Sequence, residues 1–123
     1  MPRQSALLTE LTETIGYGPT IELVRAWGGR RLSVPAQIQE DHPIALALGA
    51  EPADRLATFY GGTRLEIPVE RNALLEMRND RIAKELAQGE TTRAVAERYG
   101  LTARHVRHIR DQMARQKEVQ GVQ

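Results

Sequence analysis

Residues 27–35 read WGGRRLSVP and residues 60–68 read YGGTRLEIP, one pattern repeated 33 positions later. Pro19 and Pro52 match at the same offset, as do Leu23 and Leu56, so the duplication begins upstream of each Gly-Gly pair. Each copy predicts a helix, a Gly-Gly stop, a short strand and a proline. The helical stretches from Pro19 to Trp27 and from Pro52 to Tyr60 open on proline, which suits a first turn. The glycine pairs are expected to end these helices in the left-handed region. Arg31-Leu32-Ser33-Val34 and Arg64-Leu65-Glu66-Ile67 then alternate polar and apolar, the period of a half-buried strand. Pro35 and Pro68 stop pairing at the strand ends.

A two-stranded ribbon is marginal in water by itself. The strands must therefore pair with each other, with a second subunit, or both, and pack on helices. Open edges would otherwise invite association. The N-terminal half is accordingly expected to be a dimerisation region. Trp27, Tyr60, Leu65 and Ile67 are its candidate interface residues, and Gly28, Gly29, Gly61 and Gly62 its candidate turns or hinges. A Gly-Gly pair without a Walker lysine or dinucleotide spacing is weak evidence for a nucleotide site.

The second constraint is TRAVAERYGLTARHVRHI, residues 92–109, which carries the spacing of a helix-turn-helix. Ala96 is the small residue needed where two helices cross closely. Gly100 turns the chain with φ > 0, where a Cβ would clash. Leu101, Val106 and Ile109 would bury the second helix against the first and leave its other face free for a major groove. On that face Arg104, Arg107, His108 and Asp111 lie at three- and four-residue steps. With Thr102 and Ala103 they are the candidate base contacts. Arginine bonds guanine bidentately, at roughly 1–3 kcal/mol of discrimination per pair, and Ala103 suits a thymine methyl. Thr91, Thr92 and Arg93 at the start of the preceding helix, with Arg110 and Arg115, are the candidate phosphate contacts.

Other elements follow from periodicity. A helix over about residues 3–15 turns Leu7, Leu8, Leu11 and Ile15 inward, and residues 43–48 make a short helix. A longer helix spans about 70–88 and is ended by Gly89. Thr91 or Thr92 caps the next helix, Thr102 the last, which is expected to fray by Gln116. Charge is uneven along the chain. Residues 1–70 hold six Arg against nine Asp and Glu, a balance of −3; residues 71–123 hold eleven Lys and Arg against seven, a balance of +4. A basic C-terminal helix beside an acidic half fits a DNA reader joined to a separate module, although a charge run also suits a plain solvated face.

Composition excludes several classes. Cysteine is absent, which removes disulfides and thiolate metal sites. His105 and His108 are spaced for a metal, but no third ligand lies nearby in sequence. Glu40-Asp41-His42 has no accompanying nucleophile motif and reads as the cap of the helix at Pro43. No catalytic residue, metal or cofactor is expected. No apolar run approaches the ~20 residues that span a membrane, and the N-terminus lacks a signal-peptide core, so a cytoplasmic location is expected.

From YGGTRLEIP (60–68), through the helix holding Arg78, Asn79 and Ile82, to Gly89 and the motif ending near Ile109, the chain resembles the Mor/C family of phage transcription activators. The resemblance implies a homodimer with a paired β-strand, two C-terminal heads on an inverted repeat, and recruitment of host RNA polymerase. The upstream unit at residues 28–35 departs from the family's pattern. If its strand pairs with residues 64–67 of the same chain, the subunits join differently.

The expected architecture is thus mainly α with a short β-ribbon. Residues 1–69 form a dimerisation region with the duplicated helix-GlyGly-strand unit, 70–118 a helix-turn-helix DNA-binding domain, and 119–123 a disordered tail. The expected function is a sequence-specific transcription regulator of phage or prophage genes, with double-stranded DNA, a second copy of itself and RNA polymerase as partners. Two heads predict half-sites one DNA turn (~34 Å) or a multiple apart. A repressor, an accessory DNA-binding subunit of a terminase or recombinase, and a protein-interaction scaffold are the competing expectations.

Overall fold

The computed structural model describes residues 4–121. Among them the chain is mainly helical, with one small antiparallel sheet of two strands. The order is α1 (Gln4–Ile15), α2 (Tyr17–Trp27), β1 (Arg31–Ser33), α3 (Pro43–Leu48), α4 (Ala50–Tyr60), β2 (Arg64–Glu66), α5 (Glu70–Ala87), α6 (Thr92–Tyr99) and α7 (Ala103–Gly121). None of these helices is long and apolar enough to cross a membrane. The chain divides into two compact units between Leu75 and Glu76, inside α5, rather than ahead of that helix. α7 is helical as far as Gly121, and residues 122–123 of the stretch expected to be disordered lie outside the described ones.

The first unit is the duplication made solid. α1 packs on α2 and α4, and α3 packs on the same two helices, so each copy's first helix touches both copies' second helix. Leu11, Ile15, Leu23, Val24, Ile44 and Leu56 are buried at its centre. The strands pair within the chain, with Leu32 opposite Leu65, Arg31 opposite Glu66 and Ser33 opposite Arg64. Residues equivalent in the repeat, Leu32 and Leu65, therefore face each other directly. Their burial on one side and the exposure of their neighbours on the other realise the two-residue alternation read in the sequence.

The glycine pairs divide their labour. Only the second of each, Gly29 and Gly62, has positive φ. The first sits in ordinary extended backbone and is needed for close approach instead. A Cβ on Gly28 would fall 2.6 Å from the Val24 carbonyl oxygen and 3.2 Å from that of Pro68; on Gly61 it would fall 2.4 Å from that of Ala57 and 3.2 Å from that of Pro35. The expectation that the pair as a whole is left-handed is corrected accordingly. Smaller features bear out the sequence: His42 Nδ1 accepts the Ile44 N–H at 3.0 Å, capping α3 ahead of Pro43.

Candidate nucleic-acid interface

The second unit packs the C-terminal part of α5, α6 and α7 around one core. Ile82 from α5, Val95 and Ala96 from α6, and Val106 and Ile109 from α7 are buried together, with Leu86, Tyr99, Leu101 and Met113 packed against them. Burial of a methyl-sized side chain at Ala96 is what close approach of neighbouring helices demands.

Both connections have the same construction, Gly-X-Thr. At Gly100 (φ 67°, ψ 32°) the backbone turns left-handed. Its N–H reaches the Glu97 carbonyl and the Leu101 N–H reaches back to Ala96 at 2.9 Å, which satisfies the last carbonyls of α6. Thr102 then caps α7, its Oγ1 accepting the His105 N–H at 3.0 Å. At Gly89 the Glu90 N–H reaches back to Glu85 at 3.2 Å. Thr91 then caps α6, its Oγ1 accepting the Ala94 N–H at 3.0 Å. The choice left open between Thr91 and Thr92 falls to Thr91, because Thr92 is already helical.

A cross-brace fixes α6 to α5. The Glu85 carboxylate accepts from the Tyr99 hydroxyl and from Arg98, and Arg98 Nη2 also donates to Glu90 at 2.8 Å. The hydrogen bond from Tyr99 and the charge of Arg98 hold the Glu85 pKa below its ordinary value, against the opposing effect of burial. Sequence reading missed this group. Glu85 and Tyr99 are 14 residues apart across a turn, and no local period links them.

With its apolar side held by this core, α7 presents the opposite side outward. Arg104, Arg107, His108 and Asp111 are all exposed, while Val106 and Ile109 are buried. Arg104, Arg107 and His108 have no side-chain hydrogen bond or ion pair among the described residues. Asp111 accepts from Arg110 Nε at 3.2 Å, and its backbone carbonyl accepts from Arg115 Nε at 3.4 Å. Arg115 falls four residues beyond Asp111 and so continues the Arg104–His108–Asp111 stripe by one turn. Ala103 is half-buried, and the Thr102 and Thr91 hydroxyls are occupied as helix caps. Thr92 is half-buried and Arg93 is exposed, with its nearest carboxylate, Glu97, 3.8 Å away. No group of three His, Cys, Asp or Glu residues able to hold a metal occurs among the described residues.

The residues expected at a dimer interface or hinge lie in the first unit, with Leu65 and Ile67 buried in the chain's own ribbon. Trp27 and Tyr60 are half-buried at equivalent helix ends. Tyr60 lies near α1: burial and the charge of Glu10 raise its phenol pKa, and a hydrogen bond with Thr14 opposes them.

Comparison with known families puts the chain among transcription activators. The matching family model is that of the Mor transcription activator family, over residues 37–123, and the chain belongs to that family. Neither the comparison with curated proteins nor that with solved structures gave a match.

Proposed function

We propose that the protein is a sequence-specific DNA-binding transcription activator of phage or prophage promoters, in which α6, the Gly100 turn and α7 act as a helix-turn-helix. α7 is the helix that enters the major groove. Arg104 and Arg107 read guanine edges, assisted by His108, and Asp111 limits which bases are accepted beside them. The N-terminal turn of α6, with Thr91, Thr92 and Arg93, meets phosphate, as do Arg110 and Arg115. Recruitment of RNA polymerase is the activating step and falls to surfaces outside α7.

The observation that carries this reading is the pair Arg104 and Arg107, exposed on α7 opposite buried Val106 and Ile109, in a member of an activator family. A cation that satisfies no internal carboxylate is free to bind an external anion, and a helix braced on one side offers it at fixed geometry. A scaffold binding an acidic protein would use the same charge but show no preference among duplexes. The family's arrangement of two heads on an inverted repeat would need a joint between chains other than the ribbon, which pairs internally.

Selection of bound sites from random duplexes at moderate salt, followed by gel-shift titration of the winner, tests the proposal. Arg107→Ala is expected to lose preference for the selected site over random DNA, about 10–100-fold for a lost bidentate contact. Arg115→Ala is expected to weaken both alike. Wild-type affinity and selectivity in both variants would show that α7 is not the reader.

A further inference from the structure

We infer that the first copy of the repeat fills the place that a second chain would otherwise take, so that one chain forms a complete two-copy base and engages DNA as a monomer with a single head. The part concerning DNA rests on the function proposed above; the internal closure does not.

The contacts between the copies are reciprocal, as they would be across the twofold axis of a dimer. Gly29 N–H donates to the Ile67 carbonyl at 2.9 Å and Gly62 N–H to that of Val34 at 2.7 Å. Ile67 N–H donates to the Arg30 carbonyl, and Val34 N–H to that of Thr63, both at 2.9 Å. In each pair the donors and the acceptors are related by the 33-residue offset. The register obeys the same relation, with Leu32 opposite its own equivalent, Leu65. The glycine contacts do too: a Cβ on Gly28 would press on Pro68, and one on Gly61 on Pro35.

The family match begins at residue 37, after the first strand and Pro35, so the first copy lies outside it. The matched span alone holds α3, α4 and β2, which would leave β2 without a strand partner and α4 without α1. A polypeptide of that form needs a second molecule to close its ribbon. This chain carries the closing half itself. Its strands are three residues long, and their outward positions are Arg31, Ser33, Arg64 and Glu66, a short polar ribbon ill suited to adding a strand from another chain.

The consequence for DNA is a site with one recognition element. Among the described residues each base of two copies carries one α7, because the duplication stops short of α5 and the C-terminal unit occurs once there.

A cross-strand cysteine pair tests the closure in the full chain. The sequence has no cysteine, and Ser33 faces Arg64 in register next to the hydrogen-bonded pair at Val34 and Thr63. The double variant Ser33→Cys/Arg64→Cys therefore sits at a non-hydrogen-bonded position, where the roughly 4.5 Å Cα separation permits a disulfide. Mild oxidation is expected to give a cross-linked species of one chain's mass, 13.8 kDa, at every protein concentration. Light scattering of the unaltered protein is expected to give that mass too. A disulfide-linked dimer or a failure to cross-link would overturn the closure, and a concentration-dependent doubling of mass would overturn the monomer. Selected duplexes are expected to hold one asymmetric element, and an inverted repeat bound by two chains would overturn the single-head assignment. A monomer that cross-links internally but selects no sequence would instead refute the DNA-reading function and leave the closure standing.

Discussion

In the first unit Arg55, Arg31 and Arg25 are turned onto the protein itself. Arg55 reaches the Thr14 and Ile15 carbonyls from 41 and 40 residues away, Arg31 pairs with Glu66 across the ribbon at 3.3 Å, and Arg25 lies 3.4 Å from Glu22. In the second unit Arg98 is used in the same way, braced against Glu85 and Glu90, but Arg104 and Arg107 on α7 meet no partner among the described residues. The contrast separates charge that holds a fold from charge that is offered outward. Position decides which is which: Arg98 lies where its own helix faces α5, and Arg104 lies on the side of α7 away from the core. The two units also use glycine differently. In the first, Gly28 and Gly61 let two backbones meet; in the second, Gly100 only reverses the chain, with nothing within 4 Å of where its Cβ would be.

The sharpest break of that contrast is Gly61→Ala. Its methyl would lie against the carbonyls of Ala57 and Pro35, both backbone atoms, so the ribbon must shift, and a loss of about 3 kcal/mol in urea unfolding is expected. Gly100→Ala strains only its own left-handed backbone and is expected to cost about 1 kcal/mol. Equal losses for the two would mean that the copies do not approach as closely as described.

The brace on α6 gives a smaller, pH-dependent effect. Glu85 has a lowered pKa in the folded chain, so its contribution is complete above the unfolded value of 4.5 and is lost as pH falls through the lower folded value. Wild type is expected to lose melting temperature between pH 6 and that acid range, whereas Glu85→Gln starts lower at pH 6 and loses less (the range lies below about pH 4.5 for any carboxylate depressed in this way). Parallel melting curves for the two proteins would remove Glu85 from the account. Smallest of all is Arg31→Ala. An exposed pair of this kind is worth about 0–1 kcal/mol, so the melting temperature should move by no more than a few degrees.

Much of this was legible beforehand because the signals are local. Gly-Gly after a helix, alternation of Leu32 and Val34 with polar neighbours, and threonine ahead of an apolar period each act within a few residues. The α7 face was legible for the same reason, since three- and four-residue spacing fixes which side chains share a side. Arg115 was set apart from that stripe although its spacing places it there. The division of the chain inside α5 was not legible, because a helix continuous in sequence carries no mark where one core ends and another begins.

Sequence by itself determined the helices, the turns at Gly89 and Gly100, the duplicated ribbon and the family. Whether β1 would meet β2 of its own chain or of another was decided only in three dimensions. Pairing preference is identical for the two outcomes, and the choice rests on whether α1 and α3 can cover both second helices at once. The Glu85–Tyr99–Arg98 brace belongs to the same category, because its members are brought together by a shared core and not by any spacing along the chain.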